Sequence, residues 1–311
     1  MARNTGLELA QGTYLVFFDA DDEYDKDLLS ELVSAAEEFQ VDEVFCLFSE
    51  HNYRRATTIE GLGFNTALFP DQTPVPTQDI KDLYRNTSWW CPNTLFRKEP
   101  IDHYHFRFST TQVANDEFFM RAYASVSTTM LGLHKNLLTY RRHFDEQSLT
   151  SSQSQHTENE IEVLLSLHDW LQQHKLYDQH KESFLSYFVH SIQYNGSLGY
   201  RPQYIEAVAE ALCDKGLFED MDDQAFYNAY WKRYDTDKMC RELRKLLAKK
   251  PLEVHEIEAR TNRLVTIWAI EACARERYGR MLNPPDSAGS TLKTAVAALE
   301  SRVKAQGAFV K

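Results

Sequence analysis

The chain has 311 residues, 43% hydrophobic and 13% aromatic, enough to bury a substantial core in two domains. A formal net charge of −12 argues against nucleic acid as a partner, because phosphate binding needs clustered Lys and Arg. Five scattered cysteines without a CxxC pair exclude a disulfide scaffold or structural zinc site and suit a reducing cytoplasm. No apolar stretch reaches membrane-spanning length and no signal-peptide pattern is seen, so a cytoplasmic protein is expected.

In chain order, Ala2-Arg3-Asn4-Thr5-Gly6-Leu7 leads through Gly12 into the apolar run Tyr14–Phe18, which predicts a fully buried strand of the kind found inside a parallel sheet. Asp19, Asp21 and Asp22 then crowd three carboxylates into four residues. In open α/β sheets ligands bind beyond the carboxyl ends of the strands, and oxygen-only donors favour hard cations such as Mg²⁺ and Mn²⁺. The same acids also suit a solvated turn and the start of a helix. That helix is predicted over about 25–39, with Asp25 as N-cap and Leu28, Leu29, Leu32, Val33 and Ala36 at helical spacing. Val44–Phe48 reads as a second buried strand. Residues 50–77, with three prolines, read as a loop carrying a short strand at Ala56–Ile59, and 79–84 as a short helix.

Trp89 and Trp90 read as strand neighbours facing opposite sides. Asn115-Asp116-Glu117-Phe118-Phe119-Met120-Arg121 opens a further helix, where an acid in the first turn suits the helix dipole. Leu138–His143 is a charged strand end. Beyond a polar linker at Ser151–Gln155 the pattern turns helical, with apolar faces through Ile161 and Leu171, through Phe184 and Ile192, and through Tyr204 and Leu212. Further helices are expected between 226 and 278. After Pro284-Pro285, Leu292, Val296, Leu299 and Val303 form a stripe suited to core packing or a subunit contact. His168, His174, His180 and His190 fall on different helical faces and read as ordinary surface or satisfied histidines.

Four of these segments, in this order, resemble family 2 glycosyltransferases of the GT-A fold: ARNTGL with Ala10-Gln11-Gly12-Thr13-Tyr14, Phe18-Asp19-Ala20-Asp21-Asp22, the Asn115–Arg121 helix start, and Tyr140-Arg141-Arg142-His143 with Ser148 and Thr150. Leu95-Phe96-Arg97 and Phe106-Arg107-Phe108 follow the same rhythm. The resemblance covers residues 1–150. It implies an α/β class, a partial GT-A (Rossmann-like) sheet domain over 1–150 followed by an all-α domain over 151–311. In that family a first half with a DDGS-like acidic turn, holding nucleobase and ribose, precedes the ARNxGL segment. The sequence given opens at that segment, which would leave Tyr14–Phe18 with an open edge.

The resemblance further implies inverting transfer of a sugar from a nucleotide-diphosphate donor to an acceptor hydroxyl, commonly in surface polysaccharide synthesis. Asp116 would be the general base, with Asn115 beside it in place of the usual Glu. Asp21, Asp19 and His143 would hold Mn²⁺ or Mg²⁺, while Arg3, Asp19 and Arg141 would face the nucleotide. Trp90 and Asn115 would meet the acceptor sugar, Trp90 by stacking. Expected partners are the nucleotide sugar and a saccharide or lipid-linked acceptor. A peripheral place at the inner membrane face and homo-oligomerisation through the C-terminal helices also fit. The alternative expectation is a catalytically silent remnant that acts as an assembly subunit.

Overall fold

The computed structural model describes residues 2–53, 55–88, 90–142, 155–198 and 202–214, with isolated positions between 217 and 273. The chain divides into two compact units, Met1–Tyr187 and Phe188–Lys311. The first is a mixed α/β layer structure. Its helices are α1 (Ala2–Leu9), α2 (Leu28–Phe39), α3 (Leu83–Asn86), α4 (Lys98–Tyr104), α5 (Glu117–Val126) and α6 (Glu158–Gln173). Helix α7 (Tyr177–Leu198) begins there and ends in the second unit, which also holds α8 (Pro202–Asp214).

Seven strands form one sheet: β1 (Tyr14–Leu15), β2 (Glu23–Tyr24), β3 (Glu43–Asn52), β4 (Thr57–Leu62), β5 (Val75–Pro76), β6 (Thr94–Arg97) and β7 (Thr129–Arg142). The main path runs β1-β6-β3-β7-β2, with β4 on β3 and β5 on β7. Among the described strands only β3 and β7 run parallel, from Glu43 opposite Met130 to Asn52 opposite Arg142. Between Cys46 and Phe48 their register shifts, so that Leu47 faces Asn136 where Cys46 faced Leu133. The extra residues lie on β7, the unequal count of a bulge.

The continuous apolar run at Val44–Phe48 forms the predicted strand at the centre of the sheet, nearly all of it buried. Val44, Cys46 and Phe48 face α2, whose Leu28, Leu32 and Ala36 are each at most 1% exposed. Burying one such leucine contributes about 1.5–3 kcal/mol. On the opposite side an aromatic layer joins Phe17, Phe96, Phe106, Phe108, Phe119 and Tyr123, with edge or stacked rings 4.3–6.4 Å apart. Helix α6 packs on α5, and Trp170 closes this layer at 5.3 Å from Phe106.

Three local expectations are corrected. Tyr14–Phe18 is not a fully buried strand inside a parallel sheet. Only Tyr14 and Leu15 pair, antiparallel to β6 at the end of the strand path, because Phe17 turns into the aromatic layer while Phe18 turns out onto Tyr24. The helix after the acids starts at Leu28 with Asp27 at its N-cap. Asp25 instead accepts a hydrogen bond from the Asp27 amide, which closes the turn ahead of the helix. Trp90 precedes a 3₁₀ turn at Cys91–Asn93, where Pro92 prevents strand pairing, and Trp89 lies outside the described residues. The helices expected beyond 226 and the 292–303 stripe also lie outside them.

Candidate active site

Two side chains of α1 fasten the start of the chain to the rest of the site. Asn4 donates to the Phe108 carbonyl at 2.9 Å and accepts from the Phe108 amide at 2.8 Å. This two-point strap fixes the face of α1 from which Arg3 projects. The Arg3 guanidinium then forks: Nη2 meets Asp19 Oδ1 at 2.7 Å and Nη1 meets Asn115 Oδ1 at 2.9 Å. Its carbon lies 5.4 Å from the Phe108 ring centre. The neutral amide at position 115 suits this geometry, since one planar cation here serves one carboxylate and one amide oxygen.

Asp19 sits just past β1, where its amide donates to the Tyr24 hydroxyl at 2.7 Å and its carbonyl accepts that hydroxyl at 3.1 Å. Asp116 occupies the N-cap position of α5 without a side-chain capping bond, next to Asn115, and Cys91 Sγ donates to its Oδ2 at 3.7 Å. The Asp116 carboxyl is pushed up to about 6, by desolvation first and then by the charge of Glu117, against the pull of Arg3. Burial pushes the Cys91 thiol well above its ordinary value, with Asp116 adding to the rise. A carboxylate raised to about 6 exchanges its proton close to neutral pH.

A second group lies where β7 passes the acidic turn. The Arg141 amide donates to Asp22 Oδ1 at 3.0 Å, while Asp22 Oδ2 is buried without a hydrogen-bond partner. Asp22 is raised to about 6, chiefly by burial. The Arg141 guanidinium stands 3.4 Å from Glu23 and 5.1 Å from the Tyr53 ring centre. Asp21 projects to solvent on the turn between Asp19 and Asp22. Trp90 is half-buried, packed on Phe48 at 4.8 Å and on Tyr140 at 5.3 Å.

The structure therefore gathers Arg3, Asp19, Asn115 and Asp116 into one cluster. It sets Arg141 in a neighbouring one and leaves Asp21 on the exposed turn. His143 lies outside the described residues. Among the described residues, no three His, Cys, Asp or Glu side chains are gathered closely enough to hold a metal ion by themselves. Sequence reasoning missed Tyr24 and Cys91. Cys91 read only as an unpaired thiol, and no spacing pattern ties Tyr24 to Asp19.

Residues 1–105 match the Glycosyl transferase family 2 model. Among relatives, 109 residues are 31% identical to an uncharacterized glycosyltransferase, EpsJ, of Bacillus subtilis, covering 34% of this chain and 31% of that protein. A shorter stretch of 53 residues is 47% identical to the amylovoran biosynthesis glycosyltransferase AmsB of Erwinia amylovora, covering 16% and 18% respectively. The chain thus spans under a third of the length of either curated relative. In fold it is similar to S. aureus TarS 1-349, solved in complex with UDP-GlcNAc. The TM-score is 0.55 at 18% identity, over 89% of this chain and 71% of that one. None of the described helices is long and apolar enough to cross a membrane.

Proposed function

We propose that this chain is part of an enzyme that transfers a sugar, with inversion, from a nucleotide-diphosphate donor to an acceptor hydroxyl during surface polysaccharide synthesis. The observation that carries the reading is Asp116, a partly desolvated carboxylate tied through Asn115 and Arg3 to the acidic end of β1. The acceptor hydroxyl loses its proton to Asp116 as its oxygen forms a bond to the anomeric carbon. The bond from that carbon to the diphosphate oxygen breaks on the opposite face, and the diphosphate leaves with the electron pair. In this reading Arg3 and Asp19 hold the donor side in register, and the Arg141 guanidinium neutralises the leaving diphosphate. Trp90, half-buried beside Cys91, offers part of its ring to an acceptor sugar.

The acidic turn suits a hard divalent cation in part. Asp21 is exposed, and the next residue, Asp22, has a buried Oδ2 without a hydrogen-bond partner. Asp21 and Asp22 would hold Mn²⁺ or Mg²⁺ there, and the ion would supply Lewis-acid stabilisation of the leaving group. The test is calorimetric titration of UDP into the protein with and without Mn²⁺, repeated with Asp21→Asn. Metal-dependent binding that Asp21→Asn abolishes supports the reading. Transfer from UDP-GlcNAc that survives unchanged in Asp116→Asn overturns the base assignment.

A further inference from the structure

Below the first turn of α5 lies a buried polar network, and the sugar-transfer chemistry above does not use it. Arg121 is 1% exposed, among the largest side chains buried in the protein. Its Nε stands 3.2 Å from Glu117 Oε2, Nη2 donates to the Tyr187 hydroxyl at 3.2 Å, and Nη1 donates to the Ser88 carbonyl at 3.3 Å. The guanidinium carbon lies 4.4 Å from the Tyr187 ring centre. Tyr187 donates its hydroxyl proton to the same Glu117 Oε2 at 2.7 Å. Glu117 is the residue after Asp116. Ser88 begins the short segment that carries Trp90 and Cys91, and Cys91 contacts Asp116. Tyr187 comes from α7, well beyond the stretch that matches the family.

We propose that Glu117 is a positioning residue for Asp116: clamped by Arg121 and Tyr187, it fixes the first turn of α5 and holds a second carboxylate beside the base. The proposal rests on the reading of Asp116 as that base. A buried arginine needs a carboxylate, and Asp116 also favours the Arg121 charge, but two neighbouring carboxylates disfavour each other's ionised form in a low-dielectric site. The arrangement is costly for stability and useful for a base, since the charge of Glu117 strengthens the hold of Asp116 on a proton. The charged and titratable groups around Asp116 are Glu117 and Arg121 from α5, Arg3 from α1, Asp19 from the strand end and Cys91 from the loop. Glu117 is engaged from two helices, by the Arg121 guanidinium of α5 as an ion pair and by the Tyr187 hydroxyl of α7 as a hydrogen-bond donor. The helical segment after residue 150 thereby contributes to the site without touching a donor or an acceptor.

The test is a carboxyl ¹³C NMR titration of the full chain labelled at aspartate, with Asp116→Asn assigning the resonance. Glu117→Gln removes the charge and keeps the shape, and should lower the Asp116 midpoint by roughly half a pH unit or more. Tyr187→Phe keeps the ring on Arg121 and removes one hydroxyl. It releases Glu117 from its fixed place, so the midpoint should move the same way by less. This second variant decides the matter if the first does not fold. With UDP-GlcNAc as probe, the acid limb of the kcat profile should follow the NMR midpoint while KM stays unchanged. An Asp116 midpoint unmoved in both folded variants overturns the proposal. Because the titration needs no turnover, that outcome is distinct from failure of the sugar-transfer reading, which Asp116→Asn tests.

Discussion

Replacing Asp116 by Asn should stabilise the fold at neutral pH. The Asp116 carboxyl is raised from its ordinary 3.8 to about 6, so the folded chain holds that proton more tightly than the unfolded chain does. The stability gained from the bound proton is complete below about pH 3.8 and is lost as pH rises to about 6. Each pH unit in that window is worth about 1.4 kcal/mol, so near pH 7.5 the ionised carboxylate costs the fold up to about 3 kcal/mol. Asp116 as a residue is only part-buried, which brings the expectation to about 2–3 kcal/mol. Asparagine keeps the size and cannot ionise. Urea unfolding followed by tryptophan fluorescence should therefore show the variant more stable by that amount near pH 7.5, with the gap shrinking below about 1 kcal/mol near pH 4. The reasoning is refuted if Asp116→Asn is no more stable than the wild type near pH 7.5, or if the gap does not change with pH. A stabilising change that abolishes transfer would also mark the residue as one kept for chemistry.

Three other changes test different parts of the molecule. Arg3→Lys loses the fork that joins Asp19 to Asn115; UDP affinity measured by calorimetry should fall about tenfold or more, while thermal stability changes by under about 1 kcal/mol because the ion pair is partly exposed. Gly63→Ala should destabilise by about 2 kcal/mol or more in urea, because Gly63 has φ +134° and a Cβ there meets Asn93 Nδ2 at 2.9 Å and the Cys46 carbonyl at 3.0 Å. Glu43, 1% exposed, is pushed by burial from 4.5 to about 8, so the wild type should lose stability relative to Glu43→Gln as pH rises across that window. Melting curves should show the difference growing from about pH 4.5 and levelling off above about 8.

Strand β3 and helix α2 were readable because each carries an unmixed signal, one a continuous apolar run and the other a helical stripe. Strand β7 was recognised only at its charged end. Its middle residues His134, Lys135 and Asn136 are the polar residues at the register shift, and they break the apolar pattern of a fourteen-residue strand. The run at Tyr14–Phe18 misled for a different reason: aromatic residues fill either a buried strand or a short edge strand whose ends turn into separate clusters. At the candidate site, the order of the motifs brought Arg3, Asp19, Asn115 and Asp116 under suspicion together, and they lie in contact or adjacent along the chain. The partners that shape their chemistry left no such trace. Cys91 is 25 residues from Asp116 and Tyr187 is 70 from Glu117, separations that no local period encodes.

The parallel pairing of β3 with β7 bears on how the chain reaches its fold. Strand β3 is flanked by β6 and β7, and its parallel partner begins at Thr129, far along the chain from Glu43. During synthesis the Val44–Phe48 run therefore emerges long before β7 does, with one side of its backbone ladder unmatched. Closing so long a loop is slow compared with forming α2 or a hairpin with β4, and contact order of this kind delays the rate-limiting step. Substitutions that weaken β7, such as any side chain at Gly132 that strikes the Phe64 ring, would prolong the life of that uncovered edge. Their first symptom in a cell would be aggregation of newly made chains, ahead of any loss of stability in molecules that had already folded.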